Sequence, residues 1–239
     1  MVDELSREEV TDAVDRSVQE LLEAAGVQAP PVDAIALAQR QLGMVVCLDR
    51  RQEARGRAQR AAGRKQIFLR PEPSEERHQW TVAHEIGDHL KAALLQRLRV
   101  PPEQVRALTG VSLANLFAHR LLVPTCWFRA DAPAFGYDVL QLKRRYRTAS
   151  HQVIALRFLD LPEPCVVTIF DNGHITTRKS NGPPVKAKQP EPVEQECQQY
   201  VSRCSRPRVL RGGGWTVQGW PVHQPDWKRE ILRSVRDEE

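Results

Sequence analysis

HEIGDH, residues 84–89, lies within the longest helical pattern of the chain, PSEERHQWTVAHEIGDHLKAALLQRL (73–98). Val82, Ile86 and Leu90 recur every four residues and, with Ala93 and Leu94, mark a core-facing stripe. Ser74 stands where a cap is needed, and Glu75 and Glu76 suit the positive end of the helix. On such a helix, two histidines four residues apart face one zinc ion, and a glutamate directly after the first lies beside the metal-bound water. His84 and Glu85 stand in that relation, but Asp88 holds the place four residues after His84. His89 comes one residue later, turned about 140° from His84, and cannot take that place. Carboxylate oxygen is itself an accepted zinc ligand, so Asp88 keeps a metal reading open, with a weaker hold on the ion. The alternative is an ordinary helical His-Glu pair.

Working outward, EEVTDAVDRSVQELLEAA (8–25) spaces Val10, Val14, Val18, Leu21 and Leu22 as a helix stopped by Gly26. Pro30 and Pro31 open a second short helix that ends at Gly43. MVVCL (44–48) reads as a short buried strand and KQIFLR (65–70) as another. Between them the basic stretch Arg50 to Lys65 reads as a solvated face or a loop. After the HEIGDH helix, Pro101 and Pro102 start a further helical piece, and VSLANLFAHRLLVP (111–124) is a strongly apolar helix ended by Pro124.

DVLQLKRRYRTASHQVIALRFLDL (138–161) reads as helix, polar turn, helix, with Thr148 or Ser150 as cap, a shape like a helix-turn-helix. Arg144, Arg145 and Arg147 are then candidates for phosphate contacts, and Ser150, His151 and Gln152 start the second helix; a packed helical hairpin is the alternative. CVVTIF, Asp171-Asn172-Gly173 and HITTRK form a hairpin pattern. GPPVKAKQPEPVEQE (182–196) reads as a proline-rich connector. RGGGW, the alternating WTVQGWPV and the amphipathic DWKREILRSV follow, with Trp215, Trp220 and Trp227 as anchors or groove residues.

The 239 residues carry a net charge of +5, which only slightly favours an acidic partner. No apolar run approaches a membrane span, and MVDELSREEV lacks the regions of a signal peptide. Cys47, Cys126, Cys165, Cys197 and Cys204 are scattered and include no C-x-x-C pair, which fits free thiols in a reducing cytoplasm. No phosphate-binding glycine loop is present, and no serine or cysteine carries a local nucleophile signature.

The blocks PPVDAIALAQRQLG, IFL, ERHQWTVAHEIGDHL and LANLFAHRLLVP, in this order and spacing, resemble the ImmA/IrrE family of metallo-endopeptidases from about residue 10 to residue 125, with weaker similarity through RYRTASHQVIALRFLDL and VVTIFDNG. The resemblance implies an α+β, zincin-like catalytic fold, a small sheet with helices, in a cytoplasmic protein that acts on a DNA-binding repressor during stress, DNA damage or mobile-element responses. It implies zinc as cofactor, His84 as the first ligand, Glu85 as the catalytic base and Asn115 as the residue that orients His84. Two places depart from it: Asp88 stands for the second histidine, and Val111 for the glutamate ligand that would lie three residues before Ala114-Asn115. A substitute ligand would have to come from elsewhere, with His78, His89, Glu103 and Asp131 as candidates and His119 poorly placed. The division expected is 1–128 for the peptidase-like domain, 129–162 for the helix-turn-helix-like segment and 163–239 for a β-rich tail. A helix-turn-helix repressor is the expected partner, with DNA a weaker possibility. A pseudopeptidase that binds protein or DNA without catalysis is the alternative to an active enzyme.

Overall fold

The computed structural model describes residues 6–51, 53, 56–61, 63–182, 184–185 and 189–237. The structure is α+β and divides into two compact units. The described residues of Met1–Pro133 and Arg144–Ser150 form one, and those of Ala134–Lys143 and His151–Glu239 form the other.

In the first unit, α1 (Arg7–Ala24) begins at a reciprocal cap. The Ser6 hydroxyl accepts from the Glu9 N–H at 3.1 Å, and the Glu9 carboxylate accepts from the Ser6 N–H at 2.7 Å. Those bonds hold the Glu9 carboxyl below its ordinary range. Val10, Val14, Val18, Leu21 and Leu22 are buried, as their spacing requires. Asp33 caps α2 (Ala34–Ala36), which continues as a π-helical turn, Leu37–Gln41. The start of α2 is tied to the interior by buried Gln79, whose side-chain oxygen accepts from the Ala34 N–H at 2.7 Å and whose amide donates to Asp33 at 3.0 Å.

β1 (Val45–Leu48), β2 (Gly56–Ala61) and β3 (Arg64–Leu69) form a mixed sheet in the order β1-β3-β2, with β1 parallel and β2 antiparallel to β3. The expectation of a buried strand at 44–48 is corrected: β1 is an edge strand, half-buried, with Leu48 exposed. Of the two readings of the basic stretch, the loop is corrected at 56–61, where β2 forms by backbone pairing with β3, while exposed Arg57 fits the solvated face. Its side chains show no apolar alternation, so nothing in the pattern announced a strand. Gln52, Ala54, Arg55 and Ala62 of that stretch lie outside the described residues, as do Met1 to Leu5 of the segment read for a signal peptide.

α3 (Glu75–Leu98) carries HEIGDH. Ser74 occupies the N-cap position but makes no capping bond through its side chain, contrary to expectation. α4 (Pro102–Thr109) and α5 (Leu113–Leu122) follow, with the Ser112 hydroxyl accepting from the Asn115 N–H at 3.2 Å. α6 (Thr125–Ala134), unforeseen in the sequence, starts where Pro124 ends α5, because the Pro124 carbonyl accepts from the Phe128 N–H at 2.9 Å. α3 packs across α5 at Gly87. A Cβ there would lie 3.0 Å from both Cα and O of Ala114 and 2.8 Å from Cβ of Phe117, so only glycine permits this approach.

α7 (Val139–Arg145) and α8 (His151–Arg157) form where the helix–turn–helix pattern placed them, and the division between units falls within α7. In the second unit, β4 (Val166–Asp171), β5 (His174–Ser180), β6 (Arg208–Gly212), β7 (Trp215–Pro221) and β8 (Arg229–Arg236) make an antiparallel sheet ordered β5-β4-β8-β7-β6. The last segment is therefore a central strand, buried along most of its length.

α9 (Pro192–Cys204) begins inside the stretch read as a connector. Glu191 and Glu194 form its capping box and Pro192 its first turn, while Val193, Cys197 and Val201 pack on Phe170, Val217 and Leu232. Pro183, Lys186, Ala187 and Lys188 of the connector lie outside the described residues. Arg178 on β5 donates two bonds of 2.8 Å to Glu194, with both side chains almost wholly buried, and the Ser234 hydroxyl adds a third at 2.6 Å. Trp220 is buried, Trp215 packs against the core under α9, and Trp227 lies 4.6 Å from the Arg229 guanidinium. No helix among the described residues is long and apolar enough to cross a membrane.

Two stability predictions follow from these contacts. Gly87→Ala lowers the free energy of unfolding by about 1–3 kcal/mol in urea titration, although alanine is the better helix former, because the new methyl meets backbone. Glu194→Gln lowers it by about 3–5 kcal/mol, because Arg178 is left as a buried cation without its anion.

Candidate functional site

The β3–α3 junction fixes the register of the helix. Glu72 accepts from Arg77 at 2.6 Å and from Arg70 at 2.7 Å, and these guanidinium bonds hold its carboxyl at about 2. His78 is engaged at the same junction, with its Nε2 3.0 Å from the Arg70 carbonyl oxygen.

Six residues beyond His78, His84 faces α5. Its Nδ1 lies 2.8 Å from Oδ1 of Asn115. An amide oxygen only accepts, so Nδ1 carries a proton, and in the neutral imidazole the lone pair is on Nε2. Nε2 has no protein partner among the described residues. A bond of this kind fixes the tautomer of an imidazole, as it does for histidines that bind metals.

Glu85 has a partner that the sequence reading missed. Lys65 Nζ donates to the Glu85 carbonyl oxygen at 2.8 Å and lies 3.5 Å from the Glu85 carboxylate, with both side chains mostly buried. A signal for it existed in the strand period: Lys65, Ile67 and Leu69 share one face of β3, and the latter two are buried. Reading Lys65 as the end of a solvated basic run hid that alternation.

The remaining proposed ligands differ in their surroundings. Asp88 and His89 are exposed, Val111 is half-buried in the turn between α4 and α5, and Glu103 is exposed in the first turn of α4. His119 stacks edge-on against Trp80 with ring centroids 4.7 Å apart. Asp131 accepts from the Tyr146 hydroxyl at 2.6 Å and pairs with Arg145; burial and this bond push the Tyr146 phenol well above its ordinary range. Among the described residues, no three His, Cys, Asp or Glu side chains are placed to hold a metal ion. The side chains at 84, 88 and 111 therefore do not fit a three-ligand zinc centre.

Of the arginines read as phosphate contacts, Arg144 and Arg147 are exposed and Arg145 is committed to Asp131. On α8, Val153, Ile154, Ala155 and Arg157 are buried, and the Gln152 side chain accepts from Arg229 at 2.8 Å. Reading bases requires side chains free to reach base edges, whereas Arg145 and Gln152 are engaged within the protein.

A small mixed sheet flanked by helices, followed by an antiparallel five-stranded sheet, defines the class as α+β. Residues 39–158 match the IrrE N-terminal-like domain, half of the sequence, and the chain belongs to that family. A solved structure of a Mycobacterium tuberculosis transcriptional regulator is similar over 97% of this chain and 81% of its own, with a TM-score of 0.63 and 17% identity. At that identity the likeness is one of fold. No curated protein matches the sequence.

The Glu72 clamp gives a pH prediction. Its carboxyl is depressed from 4.5 to about 2 on folding, so its contribution is fully present above 4.5 and is lost as the pH falls towards about 2. Urea unfolding measured across that window shows a steep acid limb in the parent chain and a shallower one in Glu72→Gln.

Proposed function

We propose that this chain is a regulator of transcription that uses the IrrE N-terminal-like fold to recognise a protein and does not carry out zinc-dependent peptide hydrolysis. The observation that carries this reading is the donor count between α3 and α5. Of the three places where a ligand is needed, one holds an inward histidine, one an exposed aspartate and one a valine. Zinc needs three protein donors to bind firmly while keeping a water, and one imidazole does not suffice. The Lys65 ammonium beside Glu85 supports the same reading, because it supplies a positive charge to a carboxylate that a catalytic metal site leaves free to take a proton from water.

The expected partner is a helix-turn-helix repressor, and the setting a stress, DNA-damage or mobile-element response in the cytoplasm. Support comes from the family to which the chain belongs and from the fold shared with a protein described as a transcriptional regulator. The five free cysteines suit a reducing compartment. A second reading, a peptidase completed by an unidentified third group, is favoured by one observation: the His84–Asn115 bond keeps Nε2 ready for a metal.

Elemental analysis of the purified full chain, loaded with zinc and dialysed, separates the two. The expected content is near zero in the parent and near one zinc per chain in D88H/V111E, which restores two donors. In the cell, Glu85→Gln leaves the regulated transcripts unchanged, whereas deletion of the gene alters them. One zinc per parent chain, lost in His84→Ala, together with repressor cleavage lost in Glu85→Gln, would overturn the proposal.

A further inference from the structure

The second unit brings together three side chains that the sequence keeps apart. Ser205 closes the C-terminus of α9, His223 follows β7, and Glu230 lies on β8. Ser205 Oγ is 3.0 Å from His223 Nδ1, and His223 Nε2 is 2.8 Å from Glu230 Oε1. The other Glu230 oxygen accepts from the Gln198 amide at 3.1 Å. Glu230 is fully buried, His223 is mostly buried and Ser205 is exposed. We propose that Ser205, His223 and Glu230 form a serine-nucleophile site that cleaves activated carboxylic esters.

The hydrogen-bond order is that of an activated nucleophile: an exposed hydroxyl, a base within reach of it, and a buried carboxylate that orients the base. With Nε2–H donated to Glu230, Nδ1 is left as the acceptor for the Ser205 O–H. Here Nδ1 faces the nucleophile and Nε2 the carboxylate; either imidazole nitrogen can serve as the base, so the role follows from which one faces the hydroxyl.

The geometry is held firmly. Glu230 pairs with Pro221 across β7 and β8, the Val222 N–H donates to the Arg229 carbonyl at 2.7 Å, and the Gln224–Trp227 bridge closes the loop between them. Ser205 itself has φ +50° and ψ 37°, a left-handed backbone that costs a residue with a side chain and that recurs at functional sites. The N–H of Arg206, the residue after the nucleophile, engages no protein acceptor among the described residues. That is the position from which a nucleophile turn supplies its first oxyanion donor.

In the reaction, Ser205 Oγ bonds to the ester carbonyl carbon as its proton passes to His223 Nδ1, and the carbonyl electron pair moves onto oxygen. Collapse breaks the bond to the alkoxide, which takes the proton from Nδ1. Water, deprotonated by His223, then cleaves the acyl-serine to release the carboxylic acid and restore the hydroxyl. The carbonyl end of α9 favours the imidazolium formed on the way and gives little help to an oxyanion. With one amide donor in place, the site acts on esters with good leaving groups and not on peptide bonds.

The test uses the full chain and a fluorophosphonate ester, read by intact mass and peptide mapping. A single phosphonyl adduct on Ser205 is expected, forming far faster than at exposed Ser112. It is absent in Ser205→Gly, a change suited to the left-handed backbone, and about 100-fold slower in His223→Gln. The same variants lose the release of p-nitrophenol from p-nitrophenyl acetate. No adduct on Ser205, labelling no faster than at Ser112, or an unchanged rate in His223→Gln would each overturn the proposal. The first comparison stands even where the histidine variant fails to fold.

Discussion

The first unit depends on the close approach of two helices at a residue without a side chain. Gly87 lets α3 lie against the backbone of Ala114 on α5. That contact brings His84 on one helix within a hydrogen bond of Asn115 on the other. Dispersion and burial on the same faces, with Val82, Ile86, Phe117 and Leu121 all inaccessible to water, hold the pair together. A wider separation would strand the imidazole and remove the bond that sets its tautomer.

Around this contact the charges of the described residues are not those of a zinc centre. A zinc ion would supply positive charge to His84, Glu85 and further anionic ligands together. Here the positive charge beside Glu85 is an ammonium from β3, Asp88 faces solvent, and an apolar side chain stands at 111. The His84–Asn115 bond is an interhelical hydrogen bond, useful to packing whether or not a metal is held.

The second unit is organised by long-range polar pairs under α9. Arg178, Glu194 and Ser234 satisfy one another in the interior, and Glu230 is satisfied by His223 and Gln198. Burying two carboxylates against one sheet is tolerable only because each finds its donors there. Such pairs specify how helix and sheet meet, which hydrophobic contact alone does less strictly.

Local periodicity on the sequence determined α1, α3, α5 and the β4–β5 hairpin, because one stripe of apolar side chains or one Asn-Gly turn suffices to define each of them. It also placed His84, Asp88 and Val111 at fixed steps from recognisable neighbours. Tertiary structure decided β2, which is a strand only by pairing with β3, and α9, whose short apolar face has meaning only against the sheet. It alone joined Lys65 to Glu85 and Ser205 to His223 and Glu230. Helix and strand periods arise from the backbone geometry of neighbouring residues, whereas a bond between distant side chains exists only after packing has closed the chain between them.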